Sequence, residues 1–430
     1  MKLLYALTLA VLLSGCSGTP PPASVAESHA VGNIVRLDPA FDLLVPRDAQ
    51  IEKVATGFQF TEGPLWRPEG RLWFSDVVGN VVRSVTPAGQ VEVRIQNAGG
   101  QTDAPPGSFI GPNGMIADKD GNVLLCQHTN RRIVLVARDL RMTPYLEKFE
   151  GKRFNSPNDL VYRSDGSLYF TDPPYGLLKQ DDDAAKELKF NGVFRYAGGN
   201  LQVVINDLTR PNGIAFSPDG QTLYVSNSDE KRRIWMRYDV GADGSVSNGH
   251  VFADVTAEKE EGLPDGMKVD SQGNVYGTGP GGVWVFSADG RHLGTIKPPE
   301  IPANCNWGDD GKTLYITART SVYRIKLAVG GEKLLYQTLP GARSGASRNH
   351  DAPIVPEGHV GGRGRLLHPN DPPAPISCGS GQNLGSVAGW KHLIEIVSSP
   401  SNGITFVCGV TEEIGEDPVE VCRYFGTSLA

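Results

Sequence analysis

Two carboxylates and three carboxamides recur along this sequence at intervals that would let them converge. Glu62, Asn113, Asn158, Asn212 and Asp265 each stand at the head of a short apolar run, 51, 45, 54 and 53 residues apart. Their oxygens are hard ligands that suit one divalent cation, Ca2+ above all or Mg2+. Zn2+ or Mn2+ could also enter an all-oxygen site, but neither is singled out by it, since no Cys or His is among the five. Two carboxylates would neutralise one divalent ion, and burying them together without it would set like charges against each other. The plainer alternative is that Asn113-Gly114, Asn212-Gly213 and Asp265-Gly266 are turn pairs ahead of strands. Five such residues at one register of a repeat favour the shared site.

A repeat is what would bring positions so distant together. Six similar segments begin at Thr61, Gly111, Ser156, Arg210, Leu263 and Ile301. Each has a polar head, a short apolar strand, a turn containing Gly and a second apolar strand. Asp120-Gly121, Asp165-Gly166 and Asp219-Gly220 are hairpin signals between those strands. Further strands are predicted over residues 81–85, 132–136 and 234–239. Sheets of three or four short strands cannot bury both faces alone, whereas radial stacking closes a ring and protects the edges. The expectation is an all-β, six-bladed β-propeller over residues 34–340, with the first strand of each blade lining a central channel. Residues 34–58 are expected to close the ring or wrap it. In the sixth unit, alignment of Gly311 with Gly220 puts Ala303 at the head with Asn304 beside it, so that blade is left out of the proposed ligand shell. Asp76, Asp120, Asp165, Asp219 and Asp289 fall at strand ends or hairpins and are expected to satisfy backbone donors.

Composition narrows the partners. The 430 residues carry a formal charge of -7, which disfavours nucleic acid because a phosphate-binding surface needs concentrated Lys and Arg. The chain begins MKLLYALTLAVLLSGC: Lys2 precedes an apolar run from Leu3 to Leu13 that is too short to span a bilayer comfortably. It reads as a targeting segment. Leu13-Ser14-Gly15-Cys16 resembles the lipobox of bacterial lipoproteins. That resemblance implies a signal peptide over 1–15, a membrane anchor through lipid on Cys16, and a place on the periplasmic side of a membrane. Ser17 resembles the outer-membrane sorting pattern. A plain secretory peptide is the alternative, and export follows from either. Residues 16–33 read as a flexible tether. Without Cys16 an odd number of cysteines remains, and Cys408 and Cys422 are the expected partners in an oxidising compartment. Residues 341–430 read as a Gly/Pro-rich linker with a small strand-rich appendage to which no task is assigned.

Several motifs agree in order with one known family. They are Glu62-Gly63-Pro64-Leu65-Trp66, Asn155-Ser156-Pro157-Asn158-Asp159-Leu160, Phe170-Thr171-Asp172-Pro173-Pro174-Tyr175-Gly176, Arg210-Pro211-Asn212-Gly213 and Pro264-Asp265-Gly266-Met267. In these the chain resembles the SMP-30, gluconolactonase and luciferin-regenerating-enzyme family, its bacterial gluconolactonase branch most of all. The resemblance implies a six-bladed propeller with one divalent cation held by Glu62, Asn158, Asn212 and Asp265. It implies sugar lactones or related cyclic esters as substrates, and Asp265 as general base. Asn113 and His128 match positions near that family's channel and would touch substrate, although His128 could instead be a satisfied strand-end histidine. Arg153 and Asp172 are expected to face the mouth and contact a polyol, or else to pair locally. Residues 177–188 are the candidate lid.

The expected reaction is lactone hydrolysis, with the cation polarising the carbonyl and Asp265 deprotonating water. No G-x-S-x-G elbow is present to suggest a serine nucleophile. The rivals are another ester or phosphotriester hydrolase on the same centre, and a non-catalytic propeller with a structural cation.

Overall fold

Continuous apolar runs bounded by turn residues are what strands buried on both faces look like in sequence. Thr61–Arg67, Pro211–Phe216 and Pro302–Gly308 are buried at every position. The outer strand Val91–Gln96, by contrast, is mostly exposed. A computed structural model describes residues 30–331, apart from 101–103 and 106, together with the two-residue strands Ile376–Ser377 and Ser380–Gly381. Cys16, the 1–29 leader and tether, the Cys408–Cys422 pairing and the strands expected after residue 390 lie outside the described residues.

Among the described residues, six antiparallel sheets of four or five strands are arranged as blades. Blades 1 to 4 run in chain order over residues 61–96, 112–146, 160–205 and 211–254, each with four strands. Blade 5, residues 267–297, gains a fifth strand from Asn33–Arg36, which pairs with His292–Lys297. Blade 6 has three strands of its own, from Pro302 to Lys326, and takes Ile51–Thr56 as its fourth. The N-terminal segment therefore closes the ring, as the sequence led us to expect, and also wraps the neighbouring blade. The first strands contact one another in sequence from blade 1 to blade 6, and blade 6 contacts blade 1. The ring is complete.

Between successive blades lies one apolar cluster each, so that six clusters fill the six interfaces among the described residues. Trp66 and Phe74 of blade 1 meet Tyr315 and Val322 of blade 6 across the seam. Large aromatics such as Trp235, Phe170 and Phe194 are fully buried, and each contributes roughly 1.5–3 kcal/mol by leaving water. Cys126 and Cys305 are buried free thiols within these interfaces.

Hairpins between first and second strands follow a common plan. Asp165 Oδ1 accepts from Ser167 N at 2.8 Å and Asp219 Oδ1 from Gln221 N at 3.0 Å. Gly166 and Gly220 adopt φ of 84° and 65°, the left-handed region that a side chain disfavours. In blade 2 the acceptor is Asp118, which takes Asp120 N and Asn122 N at 2.9 and 2.8 Å; Asp120 itself pairs with Lys119.

Candidate functional site

At the head of each first strand the pairing slips. The register shifts between Glu62 and Leu65, Pro112 and Met115, Pro211 and Ile214, and Pro302 and Asn304. In blade 3 the Thr171 N–H bonds Asp159 O at 3.0 Å, and in blade 5 the Thr278 N–H bonds Gly266 O at 3.0 Å, beside the heads Asn158 and Asp265. A bulge of this kind re-aims the side chain that it carries. The head carbonyls are then tied to the preceding blade. Ser75 Oγ donates to Asn113 O at 2.6 Å, Thr171 Oγ1 to Asn212 O at 2.7 Å, Ser226 Oγ to Asp265 O at 2.8 Å and Thr278 Oγ1 to Ala303 O at 2.9 Å. For Asn158 the donor is the Gly114 backbone, at 2.8 Å. Four of the five heads and Ala303 thus share one register around the ring.

Three of the four glycines after the heads are not turn residues, Gly63 alone having a positive φ, of 50°. Gly114, Gly213 and Gly266 lie outside the positive-φ region, and each sits against the next blade. A methyl group on Gly213 would strike the Asp265 carbonyl, and one on Gly114 would come within 2.5 Å of Asn158 O. Close approach, not backbone freedom, demands glycine here. Two blades depart from that pattern: Asp159 and Asn304 stand where the others have Gly.

Glu62 is buried, with Oε2 accepting from Gly63 N at 2.6 Å and from Asn304 Nδ2 at 3.0 Å. Burial, and next the Asp159 carboxylate, push Glu62 up to about 7. Asp265 is raised well above the ordinary carboxylate range by enclosure, then by the charges of Glu62 and Asp159; an Asn212 N–H and the Gly266 N–H only partly offset this. Asn212 also donates to Ser228 Oγ at 2.9 Å. The oxygens Asn113 Oδ1, Asn212 Oδ1 and Asp265 Oδ1 are enclosed and accept no hydrogen bond from the protein. A buried acceptor left without a donor costs about 1–3 kcal/mol, and here three acceptors accompany two mutually repelling carboxylates. Oxygen atoms short of positive charge are what a divalent cation would satisfy, so the residues fit the group. Among the described residues, no group of three His, Cys, Asp or Glu side chains is placed to hold a metal ion, so a cation at this centre would depend on the carboxamide oxygens as well.

His128 is fully buried, and its Nδ1 lies 3.1 Å from Phe109 O. That contact requires the proton on Nδ1, which leaves the Nε2 lone pair to accept from Asn113 Nδ2 at 3.4 Å. Burial lowers the imidazole to about 4. It is neutral, and it turns the Asn113 carboxamide so that Oδ1 is the unpartnered atom.

Asp172 does not face the mouth. It is fully buried, accepting from Asn155 N at 2.7 Å and Ser156 N at 2.8 Å. Burial raises it to about 7 despite those donors. Asp76 in blade 1 and Asn227 in blade 4 hold the same strand position and bond Phe60 N and Arg210 N in the same way. The acid is a staple for the segment leading to Asn158. Arg153 is exposed and paired locally, its Nη2 donating to Asn130 O at 3.0 Å and its N–H to Glu187 Oε2 at 2.8 Å.

The segment 177–188 is anchored by buried Leu177 and Leu188 and by Arg131, whose Nη1 donates to Ala185 O at 2.6 Å. Tyr175, just ahead of it, stands beside Asp265, Ser228 and Asn212; burial first, and then the Asp265 charge, raise its phenol. A cavity of about 510 Å3 between Pro46–Glu52 and blade 6 includes none of the head residues.

The profile of the SMP-30/Gluconolactonase/LRE-like region matches residues 60–320. A gluconolactonase of Zymomonas mobilis subsp. mobilis is 38% identical over 317 residues, covering 71% of this chain and 89% of that protein. The structure of a gluconolactonase of Xanthomonas campestris superimposes with a TM-score of 0.62 at 31% identity, over 70% of this chain and 98% of that one. A luciferin-regenerating enzyme shares the fold at 18% identity, with a TM-score of 0.53 over 66% of this chain and 99% of the other.

Proposed function

The chain belongs to the SMP-30/gluconolactonase/LRE-like family, and from that premise we propose that it hydrolyses a sugar lactone at the axial centre of the ring. The observation that carries this reading is the set of unpartnered oxygens on Asn113, Asn212 and Asp265 beside the buried Glu62 carboxylate. Glu62, Asn158, Asn212 and Asp265 would hold one divalent cation, Ca2+ being the best match to an all-oxygen donor set. When bound, such an ion would polarise the lactone carbonyl. Asp265 accepts a proton from the attacking water as the new C–O bond forms. It returns that proton to the ring oxygen as the ring C–O bond breaks, and a hydroxy acid is released. His128 takes no proton in this scheme, because its lone pair is spent on Asn113. Its part is to fix the carboxamide that meets the substrate.

The test is hydrolysis by the purified protein of a panel of aldonolactones, aromatic lactones and a phosphotriester, with and without chelator. Turnover fastest on a sugar lactone, lost with EDTA and restored by Ca2+, is the expected result. Fastest turnover of the phosphotriester would assign a different substrate class to the same centre, and a protein that binds the cation yet turns over nothing would make it a binding module.

Export belongs to the same proposal: the leader delivers the chain to the periplasmic side of a bacterial membrane, probed by labelling with a radioactive fatty acid. Label incorporated by the full chain and absent from Cys16→Ser supports the anchor. Equal labelling of both would refute it.

A further inference from the structure

We propose that Lys268 is a built-in countercation of the central channel, whose ammonium balances a third carboxylate, Asp159, and so sets how tightly the centre holds its divalent ion. The inference rests on the reading that such an ion binds there.

The topology makes the pair unusual. Asp159 belongs to blade 3, and Lys268 lies in the first strand of blade 5, Met267–Val269. Blade 4 separates them in the ring, so a side-chain contact between them has to reach across the channel. Their separation is 3.8 Å between Nζ and Oδ2, with the Asp159 side chain 4% exposed and that of Lys268 24% exposed. The ammonium is held on its own side by Met267 O at 2.9 Å. Asp159 Oδ1 accepts from Leu160 N at 2.9 Å, whereas Oδ2 is enclosed and has no hydrogen-bond donor. The carboxylate is thus pinned by one oxygen and presents the other to the channel and to Lys268.

Charge explains why a lysine stands there. Glu62, Asp265 and Asp159 bring three carboxylates to one enclosed space, and a divalent ion neutralises two. Besides its mutual repulsion with Asp265, Glu62 feels the Asp159 carboxylate and, in the opposite sense, the Lys268 ammonium. Three negative charges then meet three positive ones. Asp159 occupies a position that is Gly in four of the blades, so the extra acid and the lysine opposite it form one device. Removing the ammonium leaves the centre over-negative and raises cation affinity. Removing Asp159 alone leaves it over-positive and lowers that affinity.

The experiment is calorimetric titration of chelator-treated protein with Ca2+, comparing wild type, Lys268→Met, Asp159→Asn and the double variant. A unit charge this close to a divalent ion shifts binding by about tenfold or more. Lys268→Met is expected to bind at least about tenfold more tightly, Asp159→Asn about tenfold more weakly, and the double variant to return close to wild type. Lys268→Met binding no more tightly than a folded, cation-binding wild type would overturn the proposal and leave the cation reading intact. A wild type that takes up no cation would overturn both, and circular dichroism of each variant separates misfolding from either outcome.

Discussion

The same two residue types do opposite things at the two ends of the first strands. At the hairpins, Asp165 and Asp219 have their oxygens satisfied by backbone N–H groups, and the glycines that follow adopt positive φ. At the channel, Asn212 and Asp265 are also followed by Gly, yet those glycines are not left-handed and the Oδ1 atom of each head accepts no hydrogen bond. The first arrangement is local and self-sufficient. The second leaves polar atoms enclosed and carboxylates opposed, a cost that folding alone gives no reason to bear. Asparagine and aspartate therefore mark turns where the backbone consumes them and a site where it does not.

The sharpest way to break that contrast is to remove one acid from each end. Asp265→Ala should lower kcat on a sugar lactone at saturating cation by on the order of 10^2–10^4-fold. Asp219→Ala should leave kcat within about twofold and reduce stability by about 1 kcal/mol. Equal losses would erase the distinction. The glycines offer the second comparison. Gly213→Ala forces a methyl against the Asp265 carbonyl and should destabilise the fold by roughly 2–3 kcal/mol in urea unfolding, because neither backbone can move away. Gly166→Ala has open space and should cost about 1 kcal/mol from its positive φ alone.

The third prediction concerns pH. Without cation, Glu62 titrates near 7 when folded, against its ordinary 4.5. A raised carboxylate means that the native state holds the proton longer than the unfolded chain does. Its contribution to stability is therefore fully present below about 4.5 and is lost as pH rises through about 7. Asp265 shifts in the same direction. The melting temperature of EDTA-treated protein should fall between pH 5 and 8, and the gap between Ca2+-loaded and metal-free protein should widen over the same range. Glu62→Gln should flatten much of that dependence, and an unchanged slope would remove Glu62 from the centre. The smallest effect is expected at His128. His128→Phe frees the Asn113 carboxamide to rotate and should raise KM by about 3–10-fold with kcat little altered, since one hydrogen bond is lost away from the reacting atoms.

Much of this architecture could be read from sequence because the repeat carries it. Asp-Gly hairpins, apolar runs and the spacing of Glu62 to Asp265 together imply the blades, and the surplus segment near residues 34–58 implies the seam. The second role of that segment, a fifth strand on blade 5 through Asn33–Arg36, is set by tertiary packing against His292–Lys297 and has no local pattern of its own. Of the two expectations for Asp172, local pairing holds and contact at the mouth does not, because a motif position does not tell mouth from interior. Comparison with Asp76 and Asn227 at the same strand position would have identified the staple. Asn304 stands in the one blade whose head carries no ligand, yet it donates to Glu62. In sequence Asp159 is no more than one residue of a motif. Both were visible as departures from a glycine position repeated in the other four blades, a signal that lies in the exception and not in the repeat.

The central claim is that these oxygens gather around one ion, and anomalous diffraction from crystals of the protein loaded with Mn2+ tests it most directly. The account predicts a single strong peak on the channel axis within coordination distance of Glu62, Asn158, Asn212 and Asp265, absent after soaking in EDTA. A peak held by other residues, or none on the axis at full loading, would contradict it.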